Sequence, residues 1–396
     1  MPLSTLLTRF NEPETLKMAK LGRELRLKGI DIVDLSLGEP DFDTPNHIKQ
    51  AAIDAINQNF SHYTPVAGFM DLREAVCHKF KRDNDLDYKP ENIIVSTGAK
   101  QSISNLVLAT VDKDDEVIIP TPYWVSYSEI VKVATGKVVF INTTLETGYK
   151  VTPEQLEAAI TPRTTLFMFS SPCNPTGAVY SKKELAGLAD VFRKHPQIYI
   201  MSDEIYEYIN FTGKHESIAQ FEDLKDRVII INGLSKGFAM TGWRLGYIAA
   251  NAEIAKACEK IQGQFTSGAN AVTQRAAITA LTGSLDSSLA MVEEFRSRRK
   301  KLMELTCNIT GFECYEPDGA FYIFPKINSF FGKKDGENAI NNADDLSMYL
   351  LNRAHVSTVT GKAFGQPDCI RLSFATNMQN IEKGVARIKE ALEKLK

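Results

Sequence analysis

The sequence predicts an α/β fold: a large domain with a mainly parallel seven-stranded sheet flanked by helices, and a smaller α/β domain. Three observations carry this prediction. Strand-like and helix-like patterns alternate between residues 46 and 250, which is typical of a parallel sheet with crossover helices. Beyond residue 250 the pattern changes to long helices followed by short strands. The length of 396 residues suffices for about two to three domains.

The seven predicted strands are short apolar runs, rich in Val, Ile, Phe and Tyr and bounded by Gly, Pro, Asn or Asp. They lie at 93–96, 117–119, 137–141, 165–169, 198–201, 228–231 and 246–250. Helical patterns lie between them at 101–111, 125–134 and 182–194. Because the strands are continuously apolar, we expect helices to cover both faces of the sheet.

The last third of the chain has a different pattern. Residues 252–310 are predicted to be mostly helical, and they end in a charged run at 293–301 that is expected to be a solvated connector. A smaller sheet is predicted beyond it, with strands at 312–324, 356–359 and 369–375 and helices at 346–354 and 381–395.

Composition excludes several classes of protein. The formal charge is −3, from 46 Lys and Arg against 49 Asp and Glu, so there is no basic excess with which to bind nucleic acid. The chain is 43% hydrophobic, which argues against disorder. No stretch approaches the roughly 18 apolar residues of a membrane span, and the first residues do not resemble a signal peptide.

Cysteine and histidine usage predicts free thiols and no metal site. The six cysteines are scattered without a C-x-x-C pair, which is typical of a reducing compartment. The six histidines show no metal-ligand spacing. We therefore expect a cytoplasmic protein without a structural metal.

Residues that follow the strands are the candidates for function, because ligands of open α/β sheets bind beyond the carboxyl ends of the strands. Gly98, Ala99 and Lys100 follow the first strand and precede a helix, so they form either a phosphate cradle or an ordinary turn. Trp124 follows the second strand and is either a stacking platform or a core residue. Two prolines and a glycine near Asn174 fix a loop that displays its amide.

Two further strand ends carry charged residues. Asp203, with Tyr206 nearby, ends a buried strand and needs a cationic partner, either a structural one or a protonated ring nitrogen of a ligand. Lys236 is either a surface charge or an amine poised to form an imine, with Ser235 and Arg244 holding a phosphate. Pyridoxal 5'-phosphate requires this combination of an amine, a carboxylate, a stacking ring and a phosphate site.

With these motifs the chain resembles the class I aminotransferases among the fold-type I pyridoxal-phosphate enzymes. It is most similar to the prokaryotic subgroup of bacterial aspartate aminotransferases. The most specific segment is S-K-G-F-A-M-T-G-W-R-L-G at 235–246. Supporting segments are S-L-G-E-P-D-F-D-T-P at 36–45, Y-T-P-V-A-G at 63–68, P-Y-W at 122–124, N-P-T-G at 174–177, S-D-E-I-Y at 202–206 and R-L-S-F-A at 371–375.

The resemblance implies a role for each candidate residue toward the cofactor. Lys236 would hold the cofactor as a Schiff base and shuttle the proton. Asp203 would pair with the ring nitrogen, Asn174 and Tyr206 would bind the ring oxygen, and Trp124 would cover the ring face. The phosphate would be bound by Gly98, Ala99, Lys100, Ser235 and Arg244.

The resemblance also implies a homodimer with shared active sites, in which Tyr63 reaches the phosphate of the neighbouring subunit. Gly38 and Arg371 would bind the α-carboxylate of an amino-acid or 2-oxo-acid substrate, beside Trp124 and Asn174. Lys100 would bind the distal carboxylate of an acidic substrate, or would only attract the phosphate. Thr15 and the loop 266–270 would line the same pocket.

These implications predict aspartate:2-oxoglutarate transamination by a ping-pong mechanism. The alternatives are an aromatic or neutral amino-acid aminotransferase, a lyase that performs β-elimination, and a non-catalytic binding or regulatory relative. Because Gly38 and Arg371 must meet Lys236, the expected domains are 46–292 for the cofactor and a discontinuous small domain of 1–45 and 293–396.

Overall fold

A computed structural model of the chain describes residues 3–396, apart from the side chains of Thr15 and Leu16. The expectation for the Thr15 side chain therefore lies outside the described residues. The strands, in chain order, are β1 (Val33–Asp34), β2 (Ile93–Ser96), β3 (Glu116–Thr121), β4 (Lys137–Asn142), β5 (Thr164–Ser170), β6 (Tyr199–Asp203), β7 (Val228–Gly233), β8 (Gly246–Ala249), β9 (Tyr322–Ile323), β10 (Lys334–Asp335), β11 (Asn338–Ala339), β12 (Val356–Ser357), β13 (Val359–Thr360) and β14 (Ile370–Ser373).

The helices pack around these strands. They are α1 (Glu14–Leu27), α2 (Asn46–Asn57), α3 (Met70–Asn84), α4 (Ala99–Thr110), α5 (Ser126–Val133), α6 (Pro153–Ala159), α7 (Lys182–Lys194), α8 (Ala252–Phe265), α9 (Ala271–Thr282), α10 (Asp286–Cys307), α11 (Ala343–Tyr349) and α12 (Met378–Leu392). Short 3₁₀ turns occur at Thr5–Thr8, Pro90–Asn92, Ile218–Gln220, Lys225–Arg227, Thr241–Trp243, Asn328–Phe330 and Gly361–Phe364, and a π-helical turn at Leu350–Ala354. Across residues 3–396, none of the helices is both long and apolar enough to cross a membrane.

The central sheet has seven strands in the order β2–β8–β7–β6–β5–β3–β4. Strands β3 to β7 pair in parallel, whereas β8 runs antiparallel to both β2 and β7. The reversal at β8 has a local cause: residues 234–245 hold only a short 3₁₀ turn, and a parallel return needs a longer crossover. Every residue of β3 and β7 is buried, which explains their continuous apolar runs. The predicted fold class is confirmed.

A second apolar core lies apart from the central sheet. It joins Val33 and Leu35, near the N-terminus, with residues from α10, α11 and α12. The charged run at 293–301 lies in α10, and the prediction of a solvated helix holds only for its outer face, where Glu293 is 69% exposed. Phe295 is fully buried in this core, and the nearly buried Arg298 pairs with Asp41 at 2.6 Å. Helical periodicity turns one face of the run inward despite its charges.

The predicted small-domain strands are corrected in two places. Of 312–324, only β9 pairs as a strand, because Pro317 has no N–H and the next two residues instead donate backbone bonds to Gly177 O at 2.9 and 2.8 Å. The run 356–359 divides at Thr358: β12 pairs in parallel with β1, whereas β13 pairs antiparallel with β14. The N-terminal segment thereby reaches the C-terminal third of the chain.

Candidate active site

A cavity of about 390 Å³ opens beyond the carboxyl ends of β2, β3, β5, β6 and β7. All of the predicted site residues line it except Gly98 and Tyr63. Gly98 lies directly behind the lining, whereas the Tyr63 side chain is fully exposed and outside this cavity. The loop 266–270, which was expected to contribute, does not line the cavity of its own chain.

Asp203 is the buried carboxylate of the cavity. It ends β6 and is 5% exposed. The Tyr127 hydroxyl donates to Asp203 Oδ2 at 2.6 Å, and the Ile205 N–H donates to Oδ1 at 3.2 Å. Burial raises the pKa of the Asp203 carboxyl to about 6, and these two donors keep it from rising further. At neutral pH the site therefore holds an anion whose burial favours a cationic partner.

Lys236 lies in the loop that follows β7 and lines the same cavity as Asp203. Its amine donates to the Gly38 carbonyl and lies 5.8 Å from the centre of the Tyr206 ring. Burial lowers the pKa of this amine to about 8, assisted by the charge of Arg371 and opposed by that of Glu39. A lysine with this pKa is partly neutral near pH 8 and can serve as a nucleophile and a proton carrier.

The start of α4 forms an anion cradle. Gly98 precedes the helix at φ +84°, and no side chain caps the helix. The first N–H groups of a helix lack intrahelical partners and can donate hydrogen bonds to an anion placed at the N-terminus of the helix. A Cβ built on Gly98 would lie 2.5 Å from Arg244 Nη2, so a side chain here would displace the guanidinium in addition to being strained at this φ. Ser235 and Arg244 complete the same corner of the cavity.

Arg371 is a buried guanidinium that also lines the cavity. It is 2% exposed and donates to Asn174 Oδ1 at 3.0 Å and to the Ser36 carbonyl at 2.6 Å. Its guanidinium lies 4.3 Å from the centre of the Tyr322 ring. Burial lowers the pKa of Arg371, although guanidinium stays charged in proteins. Because Asn174 Oδ1 is engaged, its amide nitrogen remains available as a donor to a ligand.

Lys100 and Trp124 form one wall of the cavity. The Lys100 amine lies 5.0 Å from the centre of the Trp124 ring, within the range of a cation–π contact. Burial lowers the pKa of Lys100, and the charge of Arg244 lowers it further. The side chain therefore has a flat aromatic neighbour and an unneutralised charge, which suits a ligand that is both planar and anionic.

Comparison with known proteins identifies the family. The model of the family described as "Aminotransferase class I and II" matches residues 30–388. The chain belongs to this family. A relative from Nitrosomonas europaea, named "Aspartate/prephenate aminotransferase", is 45% identical over 396 residues, which cover 99% of this chain and all of the relative. A bifunctional Petunia hybrida aspartate and glutamate/aspartate-prephenate aminotransferase is 45% identical over 373 residues, 93% of this chain and 78% of the relative.

Solved structures of aminotransferases superimpose on the whole chain. The aspartate aminotransferase of Rhizobium meliloti has a TM-score of 0.96 at 39% identity and covers 100% of both chains. The aspartate aminotransferase of Thermus thermophilus with maleate has a TM-score of 0.92 at 38% identity, over 99% of this chain and 100% of the other. The expectation of an aminotransferase is confirmed, and the alternative of a non-catalytic relative is wrong.

The electrostatics of the aminotransferase cavity strongly favour anions. Among its lining residues, four cationic side chains oppose the single carboxylate of Asp203; they are Lys100, Lys236, Arg244 and Arg371. The chain as a whole carries a formal charge of −3, so this positive field is local. Such a cavity attracts ligands with several negative groups at separate points.

Two residues of the aminotransferase site were missed from the sequence. Tyr127 follows Trp124 by three residues, close to one helical turn, and this spacing was a usable signal that both side chains reach the cavity. Tyr322 lies under Arg371, and its hydroxyl is 2.9 Å from that of Tyr206. The sequence around Tyr322 did not indicate a site residue, because Tyr322 lies in an apolar run that is typical of the core.

Proposed function

We propose that this aminotransferase uses pyridoxal 5'-phosphate to transfer amino groups between aspartate and 2-oxoglutarate. The observation that carries the proposal is the convergence of Lys236, Asp203 and Arg371 on one cavity beside the α4 anion cradle. An amine, a buried carboxylate, a guanidinium fork and a phosphate site are the groups that amino-acid chemistry on this cofactor requires.

The residues present fit the cofactor at each of its functional groups. Its phosphate fits the N-terminus of α4 with Ser235 and Arg244, since Gly98 leaves the space that a Cβ would fill. Its protonated ring nitrogen fits Asp203, and Trp124 fits the ring face. Tyr206 is a donor to the ring oxygen, because burial holds its pKa well above the ordinary value, and the free amide nitrogen of Asn174 is a second. When bound, the cofactor supplies an aldehyde and an electron-accepting ring.

The protein side chains then divide the remaining work. Lys236 carries the proton to and from the substrate α-carbon, since its lowered pKa makes both protonation states accessible near pH 8. Asp203 keeps a positive charge on the ring nitrogen, since an adjacent carboxylate favours the cationic form. Arg371 binds the α-carboxylate as a fork, and Gly38 places a carbonyl beside the Lys236 amine.

Lys100 is the residue on which the preference for aspartate depends. Its amine lies on the Trp124 wall, where it can pair with a second carboxylate of the substrate while Arg371 holds the first. The relatives' names include aspartate, and maleate, found with the Thermus thermophilus structure, is a dicarboxylate. Prephenate is a second candidate, because the same relatives are named for it and it also carries two carboxylates.

The functional unit is proposed to be a cytoplasmic homodimer. Tyr63 is fully exposed on a segment anchored by a bond from Thr64 Oγ1 to the Ala269 carbonyl at 3.1 Å, which suits a side chain that reaches a second copy. All six cysteines are free thiols, in keeping with a reducing compartment. The proposed domains are 46–292, and 1–45 with 293–396.

A half-reaction screen tests the substrate. The loaded enzyme is mixed with one amino acid at a time, and loss of the cofactor's long-wavelength absorbance reports transfer of the amino group. Aspartate and glutamate should react at lower concentrations than phenylalanine, and Lys100→Ser should weaken the dicarboxylic donors selectively. Lys137→Ser is the matched control, because Lys137 is exposed and pairs with Asp114. Equal losses for aspartate and phenylalanine would assign Lys100 to the phosphate instead.

The amino acceptor and the dimer are tested separately. Once the cofactor carries the amino group, 2-oxoglutarate, oxaloacetate and prephenate are compared as acceptors. For the dimer, inactive Tyr63→Ala and Lys236→Ala chains are mixed after mild dissociation. Activity should appear on mixing, because one site of the mixed dimer then has both residues. A mixture that stays inactive while forming dimers would contradict shared sites.

A further inference from the structure

Two buried acidic side chains flank Tyr206 on the turn that follows β6. Glu204 is fully buried and Glu207 is 6% exposed, and the Glu207 N–H donates to the Glu204 carbonyl at 2.9 Å. Neither carboxylate lines the active-site cavity. Successive side chains of an extended strand point to opposite faces, so Asp203 enters the cavity while Glu204 turns to the other side of the sheet.

Glu204 accepts hydrogen bonds from two hydroxyls on that far side and faces an imidazole. Ser202 and Ser217 donate to Glu204 Oε1 at 2.9 and 2.6 Å. His215 Nε2 lies 3.1 Å from Glu204 Oε2, and the His215 side chain is 6% exposed. Burial alone would favour a neutral imidazole, but the Glu204 carboxylate raises the pKa of His215 above its ordinary value. The Glu204 carboxylate thus favours the protonated, cationic form of His215.

Glu207 is held by α3 in a similar way. The amine of Lys79, which is fully buried, lies 2.5 Å from Glu207 Oε1 and donates to Asn84 Oδ1 at 2.8 Å. The two buried carboxylates thus face Lys79 and His215. The Lys79 amine also lies 3.9 Å from Asp83 Oδ2, and Asp83 is itself paired with Arg82 at 2.6 Å. Each carboxylate anchors one end of the short segment between Asp203 and Glu207.

We propose that His215 and Glu204 are positioning residues for the cofactor: Glu204 anchors the turn that presents Asp203 and Tyr206, and the positive charge of His215 neutralises that anchor. The inference rests on the proposed function, since it acts through Asp203 on the cofactor ring. An uncompensated Glu204 charge, one residue from Asp203 in a buried setting, would make Asp203 harder to ionise. Loss of the anchor would leave the turn free to shift.

A metal ion is the competing interpretation of the same cluster. Ligand atoms of Glu204, Glu207 and His215 lie within 4.8 Å of one another. The geometry favours the ion-pair arrangement, because the Lys79 amine is already paired with the Glu207 carboxylate and would repel a divalent cation nearby. The metal content of the purified chain decides between them, and one equivalent of a divalent metal that a chelator removes would overturn our proposal.

Cofactor binding by four variants tests the charge balance. Apo-protein is titrated with pyridoxal phosphate at pH 8, and the pH dependence of the bound cofactor's absorbance is recorded. His215→Gln should bind about tenfold more weakly, because it leaves a buried unpaired carboxylate. Glu204→Gln and the double variant Glu204→Gln/His215→Gln should bind nearly as tightly as wild type, because neither contains that charge and the amide oxygen of glutamine still accepts from Ser202 and Ser217, which keeps the anchor. His195→Gln is the matched control, since His195 pairs with Glu157 at 2.8 Å on the protein surface.

Each outcome separates this inference from the proposed function. A wild-type chain that binds no pyridoxal phosphate would refute the proposed function, whereas normal binding by His215→Gln would refute only the positioning role. A double variant as weak as His215→Gln would mean that the pair merely packs. If His215→Gln does not fold, deuterium exchange at the imidazole C2 of wild-type His215 replaces it. A charged imidazole at pH 7.5 supports the proposal, and a neutral one overturns it.

Discussion

Tyr127→Phe should destabilise the cofactor-free protein in a manner that depends on pH. The Tyr127 hydroxyl is the donor that meets Asp203 Oδ2, at 2.6 Å, and both side chains are buried. Phenylalanine keeps the ring and removes only this donor. The variant therefore isolates one hydrogen bond to a carboxylate whose charge changes within an accessible pH range.

The magnitude follows from the charge state of Asp203. A hydrogen bond to a charged group contributes about 1.5–3 kcal/mol, and a neutral one about 0.5–1.5 kcal/mol. The pKa of Asp203 is about 6 in the folded chain against an ordinary value of 3.8, so folding disfavours its ionised form. That penalty is fully present above pH 6 and is relieved as the pH falls from 6 toward 3.8. The loss from Tyr127→Phe should be about 2 kcal/mol at pH 8 and about 1 kcal/mol at pH 5.

Urea unfolding of the cofactor-free chain at pH 8 and pH 5, at one fixed protein concentration, measures both values. Tyr123→Phe is the matched control, because the Tyr123 hydroxyl donates to Ser128 Oγ at 3.1 Å, a neutral partner. The control should lose the same free energy of unfolding at both pH values. If Tyr127→Phe also loses the same amount at both, then the bond does not report the ionisation of Asp203 and the reasoning is refuted.

Three further predictions concern the cavity. Amine-directed labelling of Lys236 in the cofactor-free chain should be half-maximal near pH 8, because burial lowers the pKa of this amine to about 8. Peptide mapping measures the labelled fraction at each pH, and a midpoint above pH 10 would contradict the prediction. Gly98→Ala should weaken pyridoxal-phosphate binding, measured by titration, because its Cβ would lie 2.5 Å from Arg244 Nη2; Gly213→Ala, also at positive φ but with nothing within 4 Å, should bind normally. Arg371→Lys should raise KM for the amino acid about tenfold with a smaller change in kcat, because lysine cannot form the two parallel bonds of the fork; an unchanged KM would place the α-carboxylate elsewhere.

Local signals in the sequence were enough for most of the central sheet and its helices. The helix predicted at 182–194 has those bounds in the structure, because Ser181 caps it and Glu184 completes the capping box. The buried strands can be recognised in the sequence as continuous apolar runs, and β7 is an example. These features depend on residues close together in the chain, so one sequence suffices to find them.

The errors occur where distant segments decide the structure. Residues 312–324 have a strand-like composition, but the backbone N–H groups of Asp318 and Gly319 donate to Gly177, more than 130 residues away. The charged run in α10 looks solvated until the N-terminal Asp41 is brought to Arg298. Tyr322 became a site residue only when β14 placed Arg371 above it. In each case the contacting residue is distant in the chain, so local periodicity cannot predict the contact.

The neighbours Asp203 and Glu204 illustrate how structure adds function to a motif. In the sequence they are two adjacent acidic residues in S-D-E-I-Y, and composition gives no reason to assign them different roles. Strand alternation sends the first into a cavity with four cations and the second toward His215 and Ser217. One carboxylate is thereby available to a cationic ligand and the other is neutralised within the protein. If both had faced the cavity, like-charge repulsion would have raised the pKa of one of them further, and a protonated carboxyl would then stand beside the carboxylate that a cationic ligand needs.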